Sequence, residues 1–218
     1  MNKNVVFIVS CASLLLVFIL GSAYYKGQQA MKVVSVAKEN TNVFARDYAQ
    51  TLGNKDAKVV ITEFLDPGCE TCRAMHPFLK KMVEVNEGRI KLVVRYAPLH
   101  HGSDIMVKIL EASKKQGKFW ETLEVMFEAQ PYWASHSNPQ PEQIWQYLPK
   151  AGLDINKLKQ DMLLPEIARV IEQDIADAKA LNVQKTPEYF VNGRPLVRFG
   201  YEPLKELIKN EYMKNYPN

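Results

Sequence analysis

Cys69-Glu70-Thr71-Cys72 is the stretch whose residue types and spacing offer chemistry. Two thiols two residues apart, where an extended run turns into a helix, can close and open a disulfide within one helical turn. Cys69 falls at the helix start, where free N–H groups and the helix dipole stabilise an anion and lower a thiol pKa. Cys72, one turn further in, is close enough to bond to Cys69 yet more buried. Cys69 is therefore expected as the exposed sulfur that forms mixed disulfides, and Cys72 as the resolving one. A zinc half-site is the rival reading, but zinc needs two more ligands, and His76, His100, His101 and His136 show no paired ligand spacing. Covalent haem would need a histidine directly after Cys72, where Arg73 stands.

The rest of the chain says where such a pair would work. Its 218 residues are 47% apolar, which excludes a disordered protein. A net charge of +4 is too small to indicate nucleic acid as a partner. No repeat is visible at a solenoid period, and three cysteines are too few for a disulfide-stapled mini-protein. From Val5 to Tyr25 there is no charged residue. Gly21 and Ala23 fit a signal-peptide cleavage site, but the run from Val5 to Leu20 exceeds the usual ~7–15-residue signal core. The whole stretch reaches the ~20 residues that span a bilayer, closed by Tyr24, Tyr25 and Lys26. Residues 1–25 are thus a membrane anchor or a signal peptide, and Cys11 is a small apolar residue within them. Either way the remainder is expected outside the cytoplasm, with Cys69 and Cys72 its only cysteines. Their loop is too short for a useful structural staple, because loop-entropy gains grow with length, so the pair reads as redox-active.

Elements must position that pair. Residues 26–50 read as a linker or short helix. Lys58–Leu65 is a β-branched run ended by Asp66-Pro67-Gly68, a buried strand and a sharp turn. Met75, Phe78, Leu79, Met82 and Val83 give Cys69–Asn86 helical spacing, with Pro77 inside and Gly88 as the stop. Ile90–Tyr96 is a second strand. From His100 to Leu181 the pattern is helical: Asp104–Gln116 behind a Ser103 cap, Lys118–Gln130, a loop from Pro131 to Pro141, then short helices and a long one opened by Pro165. Phe119, Trp120 and Trp145 read as core of these helices, and His76 as a surface residue. Asn192-Gly193 between Tyr189–Val191 and Leu196–Phe199 is a strong hairpin signal, and a helix over Pro203–Tyr212 closes the chain. The sheet needs segments on both sides of the helical block, so the block is an insertion.

In this arrangement the chain resembles the thioredoxin-fold thiol–disulfide oxidoreductases of the DsbA type. Leu52–Ala57 is similar to that family's lead-in segment, Glu63-Phe64-Leu65-Asp66 to its strand before Cys-x-x-Cys, and Cys69–Pro77 to its cysteine-to-proline spacing. Gln116–Trp120 and Ala151–Asp154 resemble its inserted helices, and Thr186-Pro187 before Tyr189–Gly193 its cis-proline and hairpin. The resemblance implies an α/β, thioredoxin-like fold with an inserted helical domain, preceded by the N-terminal anchor or signal helix. The parts would be 51–97 and 182–216 for the thioredoxin domain and 98–181 for the insertion. It implies that Pro187 is cis and faces the cysteines, with Thr186 offering its backbone to an extended substrate peptide. It implies that Glu63, six before Cys69, is a buried acid that takes the proton of Cys72; a solvent-facing strand carboxylate is the alternative.

Direction of electron flow hangs on the residues around the sulfurs. Glu70 beside Cys69 disfavours a thiolate by like-charge repulsion, and Thr71 adds no positive charge, so a less depressed thiol and a weaker oxidant are expected. Thr186 resembles the isomerase branch, while Lys185, in place of a usual glycine, tilts the field back. The expectation is a periplasmic or otherwise extracytoplasmic oxidoreductase, oxidase favoured, anchored to the inner membrane by residues 5–25. It would use no cofactor beyond its own disulfide and no metal. Its partners would be exported proteins with cysteine pairs and a membrane redox-recycling protein. An isomerase or reductase with the same residues, and a metal-handling module, are the alternatives.

Overall fold

The computed structural model describes residues 3–39, 41–86, 88–135 and 137–217; His136 lies outside them. Helix α1 spans Lys3–Glu39. Its stretch Phe7–Tyr25 has a mean hydropathy of 2.2, is unburied, and is long and apolar enough to cross a membrane. Of the linker or short helix expected from residue 26, the stretch to Glu39 is helical, as the continuation of α1. Lys26–Glu39 has no proline and a single glycine, so nothing in it stops a helix.

A 3-10 turn at Thr41–Phe44 leads to strand β1 (Gln50–Gly53), which the sequence reading missed because four mixed residues carry too little alternation. Strand β2 (Val59–Leu65), helix α2 (Glu70–Glu84) and strand β3 (Ile90–Tyr96) follow where expected. β2 and β3 run parallel, with Val59 opposite Ile90 and Leu65 opposite Tyr96. β1 lies antiparallel on the far side of β3.

The helical block comprises α3 (Ser103–Ser113), α4 (Phe119–Trp133), two 3-10 turns, α5 (Ile155–Asp161) and α6 (Pro165–Ala180). Ser103 is not the cap of α3; Gly102 is, in a left-handed conformation that suits glycine. Nor does Pro131 end α4. The helix runs two residues further, to Trp133, whose fully buried indole donates to the Met126 carbonyl at 3.0 Å and holds the last turn.

The chain then returns to the sheet. Strand β4 (Glu188–Val191) pairs antiparallel with β2, so the sheet order is β1-β3-β2-β4 and then β5 (Arg194–Pro195). Asn192 (φ 48°) and Gly193 (φ 76°) make the tight turn that their types announce. The second hairpin strand is shorter and earlier than expected: the ladder register ends at Pro195, the buried Leu196 makes a last bond from its N–H to the Tyr189 carbonyl at 2.9 Å, and Val197 is 96% exposed. Helix α7 (Tyr201–Asn215) closes the fold.

Alternation along β2 sends Val59, Ile61, Glu63 and Leu65 to one face of the sheet and Val60, Thr62 and Phe64 to the other. Met75, Leu79 and Val83 of α2 and Leu204 and Ile208 of α7 pack with the first set in the main core. Phe64 joins Val43, Phe44, Ala178, Leu181 and Phe190 in a second cluster. Arg95, opposite Phe64 in the register, is fully buried beside it. It is satisfied by Asp174 (2.6 Å) and Asp177 (2.6 Å) of α6, which ties the insertion to the sheet.

Candidate active site

Cys69 caps the N-terminus of α2 in an extended conformation (φ −81°, ψ 118°), directly after the turn that leaves β2. That turn is fixed from two sides. The fully buried Asp66 carboxylate accepts from the Gly68 N–H (2.8 Å), the Leu99 N–H (2.6 Å), the His100 N–H (2.8 Å) and the Ser103 hydroxyl, and pairs with the His100 ring at 2.8 Å. Glycine suits position 68, since a Cβ there would lie 2.7 Å from the Ser103 Oγ and would push that hydroxyl aside. From the insertion, Gln130 donates from Nε2 to the carbonyls of Pro67 (2.8 Å) and Cys69 (3.0 Å). Sequence reading saw Asp66 only as a turn residue and passed over Gln130. Its signal was there: Gln130 continues the inward stripe of Leu123, Met126 and Phe127, so a polar group had to find a partner inside.

Both cysteines are free thiols. Opposite them the Thr186–Pro187 bond is cis, and Cys69 as a thiol donates to the Thr186 carbonyl at 3.1 Å. Cys69 is 5% exposed and Cys72 is 0% exposed. The expected order holds, but Cys69 is less open than foreseen, because Thr186 and the Asp66 turn close over it. A groove of about 460 Å³ beside it runs between Glu70–Met75 and Phe199–Tyr201. A larger one of about 920 Å³, at the β4–β5 hairpin, contains neither sulfur.

The two sulfurs are driven apart in acidity. The Cys69 thiol is pushed down to about 5, chiefly by a hydrogen bond from the Cys72 thiol, against the cost of burial, with help from the Cys72 N–H, Thr186 and the Thr71 N–H. This is a helix N-terminus holding an anion. The buried Thr186 hydroxyl has no partner of its own among the described residues and is left for the sulfur. The exposed Glu70 carboxylate, screened by water, is not among the chief influences on Cys69; donors in contact with the sulfur are. Burial and the neighbouring Cys69 push the Cys72 thiol far up.

Beneath Cys72 lies Glu63, fully buried on the α2 face of β2 and not facing solvent. Burial pushes its carboxyl up to about 8, partly offset by the Tyr189 hydroxyl, and the Cys69 charge raises it further. His76 is also interior, 5% exposed, set between Trp120 and Phe127 with ring centroids 6.2 and 5.3 Å away. Burial lowers its pKa to about 4. Among the described residues no group of three or more His, Cys, Asp or Glu side chains is arranged to hold a metal.

A family model described as thioredoxin matches residues 46–210. The chain belongs to the thioredoxin family. The solved structure of alpha-DsbA2 from Wolbachia pipientis, 19% identical, superposes with a TM-score of 0.70 over 84% of this chain and 97% of that one, a likeness of fold. Probable disulfide bond formation protein D of Bacillus anthracis is 27% identical over 217 residues, 93% of this chain and 94% of that protein. The crystal structure of oxidised BdbD from Bacillus subtilis, 26% identical, superposes with a TM-score of 0.65 over 76% of this chain and 93% of that one. An Na(+)/H(+) antiporter NhaA of Herminiimonas arsenicoxydans is 29% identical over 144 residues, 66% of this chain but 22% of the antiporter, so the chain spans about a fifth of that relative's length.

Proposed function

We propose that this thioredoxin-family chain is a thiol–disulfide oxidoreductase that exchanges disulfides with extracytoplasmic proteins through Cys69 and Cys72. The observation that carries the reading is the Cys69 sulfur at the tip of α2, fed by the N–H groups of Thr71 and Cys72 and facing the cis Thr186–Pro187 bond. Such a sulfur is a thiolate at neutral pH, and it is both a good leaving group and the form that attacks.

As an oxidase, a substrate thiolate attacks Cys69 of the disulfide and Cys72 leaves, taking a proton from Glu63. A second substrate thiol then releases Cys69 as thiolate. As a reductase or isomerase the same steps run backwards: Cys69 attacks, Glu63 takes the proton of Cys72, and Cys72 resolves the mixed disulfide. A carboxyl with a pKa of about 8 is available in both protonation states near neutrality. While Cys69 is in a mixed disulfide its negative charge is gone. That charge raises the Glu63 pKa, so its loss lets more of the carboxyl ionise when Cys72 has to lose its proton. The low Cys69 pKa favours the oxidase, since a stabilised reduced form makes the disulfide a stronger oxidant.

The Thr186 backbone would pair with an extended substrate segment, whose flank would lie in the groove between α2 and Phe199–Tyr201. The chain would be held at the outer face of the inner membrane by Phe7–Tyr25 and reoxidised by a membrane partner. Thr71 contributes through its N–H, which helps to lower the Cys69 thiol. The test is covalent trapping. Cys72→Ala should accumulate mixed disulfides between Cys69 and exported proteins, and Cys69→Ala should neither trap nor exchange. An active Cys69→Ala, or a Cys72→Ala that traps nothing, overturns the assignment.

A further inference from the structure

We infer that the Tyr189 hydroxyl is the positioning group of the resolving step, holding one oxygen of Glu63 so that the other is free to take the Cys72 proton; this rests on the exchange chemistry proposed above. The register of β2 and β4 sets Tyr189 directly opposite Glu63. Both side chains are fully buried, and the hydroxyl donates to Glu63 Oε1 at 3.0 Å. Oε2 is buried with no partner among the described residues. Phe199 stacks on the Tyr189 ring, 6.4 Å between centroids and 16° from parallel, which fixes the direction of the hydroxyl.

The titratable groups that act on Glu63 are Tyr189 from β4 and Cys69 from α2, and Glu63 in turn acts on Cys72. Its neighbour on β3, Val94, is apolar, as are Leu204 and Ile208 of α7 on the same core face. Phenylalanine at 189 would fill nearly the same volume, so packing does not call for the hydroxyl. What the hydroxyl adds is a preference for the charged carboxylate, which burial alone opposes. The step balances within the site. The Cys72 proton passes to Glu63 Oε2, the Cys72 sulfur bonds to Cys69, and the Cys69–substrate S–S bond breaks. The substrate thiolate leaves with the electron pair and is protonated by solvent.

The test uses the reduced full chain in detergent, mixed rapidly with a symmetric aromatic disulfide whose halves absorb when released as thiolates. The first release reports attack by Cys69, the second resolution by Cys72. Tyr189→Phe should shift the pH limb of the second phase up by about one unit and slow it about tenfold at neutral pH. The first phase should barely change. In a Glu63→Gln background, where the second phase is already slow, adding Tyr189→Phe should change nothing more. An unshifted limb in Tyr189→Phe, or an equal slowing with Glu63→Gln present, overturns the inference about Tyr189. If Glu63→Gln alone leaves the second phase unaltered, it is the role of Glu63 in the proposed function that fails, and the inference falls with it.

Discussion

Replacing Glu63 with glutamine should make the folded chain more stable, increasingly so as pH rises. Glu63 is fully buried and keeps its proton to about pH 8, against the ordinary value of 4.5. Between those values the unfolded chain has released a proton that the folded chain retains, so stability falls as pH rises through that window. At ~1.4 kcal/mol per pH unit the penalty is about 3 kcal/mol at neutral pH and approaches about 5 kcal/mol above pH 8. Glutamine keeps the shape and an oxygen for the Tyr189 hydroxyl, but buries an amide N–H that costs ~1 kcal/mol. The expected net gain is therefore about 2 kcal/mol at neutral pH and none near pH 5. The Cys69 thiol, lowered from 9.0 to about 5, has the opposite slope, adding stability to the reduced chain as pH rises through that range. Both proteins share that slope, so it cancels in their difference. Urea unfolding of the two reduced chains at a series of pH values reads the effect. A variant no more stable than the parent, or a gain that is the same at acid and alkaline pH, refutes the reasoning.

Two further outcomes follow from contacts around the sulfurs. Gln130→Leu leaves the Pro67 carbonyl without its donor and weakens the hold on Cys69, so denaturant unfolding should show a loss of about 2 kcal/mol and disulfide exchange should slow. Glu70→Gln should move the Cys69 titration by less than about half a unit, because contact donors and not this exposed carboxylate hold the thiolate; a shift of a full unit would restore the charge argument.

The parts of the fold with strong patterning were legible in the sequence. β2, α2, β3 and the Asn192-Gly193 turn carry unambiguous periods or turn residues, and they are the elements that bring Cys69, Cys72 and Glu63 together. β1 was not legible because a four-residue strand has no period to detect, and the end of α4 because the burial of Trp133, a tertiary effect, outweighs Pro131. The side chains that complete the site were harder to see. Tyr189 meets Glu63 only through the β2–β4 register, and Gln130 meets Cys69 only through the docking of the insertion. Neither relation exists in local spacing. What holds Cys69 as an anion was hidden for a similar reason: charge is visible in a sequence, whereas N–H groups aimed at a sulfur are a property of the turn that Asp66 and Gly68 build.

The most direct check of the central claim is a titration of the Cys69 thiolate by its ultraviolet absorbance in the reduced full chain. The arrangement at the tip of α2 predicts a midpoint near pH 5. A midpoint near the ordinary thiol value of 9.0 would mean that the helix end and Thr186 do not stabilise the anion, and the account would be contradicted.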